Sequence, residues 1–166
     1  MTADLLKRIA AFATLCLVQA LVLNQIHLFD CATPLLYVYM VAAFPCDYPK
    51  WAVLLWAFLL GVAVDTFTNT PGVAAASLTA VAAVQPYFLA LFIPADARED
   101  IRPNMAEMGA LKYCVYIVTL VLLHCLLFFS IEMFSFFNLL QWAECVLGSA
   151  ALTVILILTL ESVRTK

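Results

Sequence analysis

Three side chains in this sequence could do chemistry in an apolar setting: Asp65, Glu144 and His124. Asp65 closes a hydrophobic run, with Gly61 one helical turn before it on the same face. Thr70-Pro71-Gly72 follows and reads as N-cap, first helical position and small residue of a new helix. An intramembrane carboxylate costs ~2.5–3.5 kcal/mol on insertion scales, so it marks a functional position by default. Three roles are open to Asp65: hydrogen bonding to the first turn of the next helix, contact with a partner, and proton or ion handling. Glu144 has Gly148 one turn below it and either reaches water near the interface or forms a second polar site. His124 has no acidic or cysteine neighbour at ligand spacing and reads as a histidine satisfied by other helices.

Catalysis needs a nucleophile with its base, paired acids, or a metal set at workable spacing, and none is present. The six cysteines are scattered without a CxxC pair, and the four glycines form no phosphate loop. No basic patch suited to nucleic acid occurs. The sequence therefore predicts a protein that is not an enzyme, with no metal, no cofactor and no nucleic-acid partner.

The elements that must position these residues are membrane helices. The chain has 166 residues, 66% of them hydrophobic and 11% charged. A soluble domain carries ~25% charged residues, so that class is excluded and the bilayer is the solvent. The expected fold is all-α, a single polytopic domain over 1–166 with six transmembrane helices. Their spans are 5–24, 29–44, 51–67, 72–93, 111–131 and 139–160. The second is the shortest; Thr33 and Pro34 suit a helix start and Pro45 a stop. The fourth is rich in small residues, among them Ala76 and Ala80, which suit close helix packing inside the bundle. Gln85-Pro86 should bend its second half.

Six spans place all eight Lys and Arg (Lys7, Arg8, Lys50, Arg98, Arg102, Lys112, Arg164 and Lys166) on one side. The positive-inside rule makes that side cytoplasmic, with both termini there. The 94–110 loop is then cytoplasmic, as a solvated connector or short surface helix. Cys31 and Cys145 fall toward the opposite face, where a disulfide is conceivable.

Leu59-Leu60-Gly61, Asp65 and Thr70-Pro71-Gly72, set in six short-looped spans, resemble the rod shape-determining protein MreD family. The stretch from Val22 to Phe29, with Ala32-Thr33-Pro34, is similar to its Bacteroidetes-type members. The resemblance implies a bundle like the substrate-binding subunits of ECF vitamin transporters. It also implies a non-enzymatic scaffold of the bacterial cell-elongation machinery in the inner membrane. Implied partners are the MreC transmembrane segment, MreB, RodA and a class B penicillin-binding protein. The alternative is a substrate-binding membrane subunit of a small-molecule transporter, with a polar cavity around Asp65 and Glu144.

Overall fold

The structure is a computed structural model describing residues 2–21, 33–93, 103–133 and 139–164, with the backbone alone at 2–5, 7 and 164. The described residues form helices and turns, with no strand among them. In chain order these are α1 (Thr2–Leu21), α2 (Val38–Ala42), α3 (Lys50–Thr68), α4 (Val73–Phe92), α5 (Met105–Met108), α6 (Ala110–Met133) and α7 (Leu139–Arg164). Four of them, α3, α4, α6 and α7, are long and apolar enough to cross a membrane. The apolar part of α1, Arg8–Leu21, is shorter.

α4 packs along α3 and α6, α7 along α6, and α1 against α3. Leu60, Leu78, Leu89, Ile117, Leu120 and Ile157 are fully enclosed between them. Trp51, Phe58, Leu91, Leu111, Leu147 and Ile155 point outward. Apolar side chains on both the inner and outer faces suit helices that meet each other on one side and lipid on the other.

Ring contacts identify which helix ends lie together. The Arg8 guanidinium stands 4.7 Å from the centre of the Phe44 ring and 4.3 Å from that of Tyr48. The Lys50 ammonium is 4.8 Å from the centre of the Tyr87 ring. The start of α1, the 44–48 turn, the start of α3 and the end of α4 therefore share one end of the bundle. The Tyr39 hydroxyl donates to Glu161 at 2.7 Å, adding the end of α7.

The second expected helix is where sequence and structure part. Over 33–44 only α2 is α-helical, five residues long; Leu35 and Leu36 accept from Val38 and Tyr39 N–H, three residues on, in the turn that leads into it. The cause is competition for the backbone. Thr33 N–H donates to Ser149 Oγ at 3.0 Å and Leu35 N–H to Thr153 Oγ1 at 2.9 Å. Gln19 accepts from Leu36 N–H at 3.1 Å and donates to the Pro34 carbonyl at 2.9 Å. The amides of Thr33 and Leu35, two residues apart, thus pair with the hydroxyls of Ser149 and Thr153, four apart on α7. Backbone that no helix of its own pairs must find partners elsewhere, and here α1 and α7 supply them.

Two smaller differences follow from packing. α4 buries one face, Ala74, Ala75, Leu78, Val81, Ala82, Gln85 and Leu89, while Ala76 and Ala80 are exposed, so it is not enclosed on all sides. Within 103–110, α5 forms a single turn; the Asn104 side chain accepts from Glu107 N–H at 2.7 Å as its cap. Residues 94–102, His27 and Cys31, and with Cys31 the expected pairing to Cys145, lie outside the described residues.

Candidate functional site: the α3–α4 hairpin and its cavity

α3 ends in Asn69, whose φ of 57° turns the chain out of the helix. Thr70-Pro71-Gly72-Val73 then forms a type II turn. Gly72 has φ 86° and ψ −4°, the position that favours glycine, and Val73 N–H reaches the Thr70 carbonyl at 3.4 Å. This corrects the expectation for Thr70: α4 begins at Val73 and its N-cap residue is Gly72, which has no side chain with which to cap.

Asp65 supplies the missing cap from the preceding helix. Ala74 N–H donates to its Oδ1 and Ala75 N–H to its Oδ2, both at 2.9 Å. These are the second and third positions of α4, the donors that an N-cap side chain normally takes. The carboxylate also faces the positive end of the α4 dipole. Thr70 donates to Oδ1 at 3.2 Å, and the Thr68 hydroxyl lies 2.6 Å from that of Thr70. The Thr68 hydroxyl also reaches the Val64 carbonyl at 3.1 Å, so the two threonines join the end of α3 to the Asp65 carboxylate.

Gly61 permits this geometry. A Cβ at Gly61 would stand 2.4 Å from Ala75 Cα and 2.7 Å from Ala75 N, both backbone atoms. The helices cross where the glycine lies, and the carboxylate one turn later meets the start of α4.

Beside the hairpin is a cavity of about 240 Å³. Gln19, Thr33, Tyr37, Thr68, Thr70 and Glu132 give it polar walls, and Ala20, Leu35, Val64, Phe67 and Phe128 give it apolar ones. Tyr37 is fully buried and its hydroxyl pairs with His124 Nε2 at 3.0 Å. His124 is fully buried and lies against the Ser77 backbone, but its Nδ1 has no hydrogen bond of good geometry.

The sequence-derived site thus divides. Gly61, Asp65 and Thr70-Pro71-Gly72 come together at the hairpin, and Thr70 touches the cavity. Glu144 is exposed on α7 and absent from the cavity wall, and Gly148 is half-buried. Ala76 and Ala80 face outward from the bundle. Among the described residues the cavity carboxylate is instead Glu132, helical within α6, where the sequence suggested a loop.

Sequence reasoning also missed Gln19, Ser149 with Thr153, and the buried Gln85. Gln85 donates to the Phe44 carbonyl and the Tyr116 hydroxyl, both at 3.0 Å, and Tyr116 donates to Ala42 O at 3.1 Å. Ser149 and Thr153, four apart on one face of an apolar helix, carried the available signal: hydroxyls there need a partner. Among the described residues no group of three His, Cys, Asp or Glu side chains could hold a metal. Comparison with protein-family models, curated proteins and solved structures finds no match to this chain.

Proposed function

We propose that this chain is a non-enzymatic scaffold of the MreD type in the bacterial inner membrane. In this reading its charged helix ends are cytoplasmic. An outer helix face binds the MreC transmembrane segment, and MreB, RodA and a class B penicillin-binding protein assemble around that pair. The observation that supports the reading is the hairpin, where Gly61 and Asp65 of the family-like motif fix α4 against α3. Because both residues are turned inward, they shape the hairpin, and its outward face with Ala76 and Ala80 is left for the partner helix.

A tagged pull-down in mild detergent from the native host tests this. MreC should co-purify with wild type and be lost from Ala80→Trp, whose folded stability should be unchanged. Gly61→Leu is the control for a broken hairpin. Equal recovery of MreC with Ala80→Trp would remove this face from the reading. A second reading, a substrate-binding subunit of a transporter, is favoured by the cavity beside Thr68, Thr70 and Glu132. Co-purification of an ATPase module in place of MreC would make it the better one.

A further inference from the structure

One end of the bundle fixes two cations on aromatic rings and gives neither a counter-charge. Phe44 is buried there, and Gln85 of α4 donates to its carbonyl at 3.0 Å. Its ring packs on that of Tyr48, 5.0 Å between centres, and the Arg8 guanidinium lies over both. Stacking engages the face of a guanidinium and leaves the N–H fork at its edge open. Lys50, the exposed first residue of α3, stands over the Tyr87 ring of α4.

A ring attracts a cation but neutralises none of its charge. Among the described residues neither Arg8 nor Lys50 makes an ion pair, and the first turn of α3 holds no acidic residue. Asp47, exposed in the turn before α3, pairs with neither. Glu161, the buried carboxylate at this end, takes the Tyr39 hydroxyl. The two cations are therefore positioned by the fold and open to an anion.

Their level in the bundle identifies that anion. α3 is a candidate span from its first residue, so Lys50 stands where the apolar helix begins. Trp51, Leu55, Phe58 and Val62 follow at spacings of four, three and four, all exposed, and form one outward stripe. Trp51 and Tyr87, both largely exposed, suit the headgroup level of a bilayer, where such rings collect. A guanidinium fork takes phosphate oxygens in pairs, and an ammonium adds a point charge. Tyr48 and Lys50 are two residues apart, at most ~7 Å of chain, so the two cations flank one short stretch.

We propose that Arg8 and Lys50 bind the phosphate of an anionic phospholipid whose acyl chain lies along Trp51, Leu55, Phe58 and Val62. The proposal rests on this end of the bundle and not on the scaffold reading, so either can fail alone.

The full chain, purified in uncharged detergent, should be titrated with phosphatidylglycerol and with phosphatidylcholine of the same acyl chains. Native mass spectrometry counts the bound lipid. Phosphatidylglycerol should bind at least about tenfold more tightly, because choline offsets the phosphate charge within its own headgroup. Lys50 is exposed, so Lys50→Gln should unfold near the wild-type temperature and still weaken phosphatidylglycerol about tenfold. Arg8→Gln should weaken it by at least about tenfold. Lys112→Gln, which removes an exposed cation on α6, should leave the affinity unchanged. An equal loss there would mean general attraction to charge and would overturn the site. Inorganic phosphate should fail to displace the lipid; displacement at the lipid's own concentration would assign the cations to a free anion instead. Equal affinity for the two lipids, or wild-type phosphatidylglycerol binding by either Lys50→Gln or Arg8→Gln, would also overturn the proposal.

Discussion

Gly61 has no side chain because the backbone of Ala75 occupies the place of one: a Cβ at Gly61 would lie 2.4 Å from Ala75 Cα. Backbone cannot move aside as a flexible side chain can, so any larger residue must part α3 from α4. Gly61→Ala should destabilise the protein by at least ~1–3 kcal/mol, the usual range for overpacking. Gly61→Leu should prevent the hairpin from closing. Thermal unfolding in detergent reads both, and a Gly61→Ala protein as stable as wild type would refute the close approach.

Asp65 is the cap of a helix it does not belong to. Asp65→Ala removes the acceptor from Ala74 N–H and Ala75 N–H, and should cost ~1–3 kcal/mol for each buried donor left unpaired. Asp65→Asn retains one acceptor oxygen and should cost less, with amide exchange rising at Ala74 or Ala75 first. Thr70→Val, which removes the hydroxyl's bond to the Asp65 carboxylate and its contact with Thr68, should cost ~1.5–3 kcal/mol. If Asp65→Asn and Asp65→Ala prove equally mild, the carboxylate is not holding α4.

The stretch Thr33–Leu36 is held by side chains from two other helices. Gln19→Leu strips Leu36 N–H and the Pro34 carbonyl of their partners, and Thr153→Val strips Leu35 N–H. Hydrogen exchange should accelerate at Leu36 in the first variant and at Leu35 in the second. Each substitution should lower stability by ~1–3 kcal/mol. Unchanged exchange at both amides would mean that the stretch is held by something else.

Glu144 and Ala80 face out of the bundle, so Glu144→Gln and Ala80→Leu should leave the unfolding free energy within the about ±0.5 kcal/mol typical of surface changes. A marked loss of stability in either would mean that the face is covered.

The membrane class of this protein was legible in composition, because 66% hydrophobic residues leave no other solvent for its helices. The long helices at α3, α4, α6 and α7 were legible too, since apolar length alone defines a candidate span. So was the tight α3–α4 turn, because Pro71 and Gly72 restrict the backbone locally. Tertiary structure decided what depends on a partner distant in sequence. Thr33 and Pro34 have the local signature of a helix start, but side chains on α1 and α7 take the amides of Thr33, Leu35 and Leu36, and the helix begins only at Val38. Thr70 has the signature of an N-cap, but Asp65 performs the capping across the turn. Glu132 and not Glu144 lines the cavity, because the way each helix is rotated is fixed by packing, which no local pattern encodes.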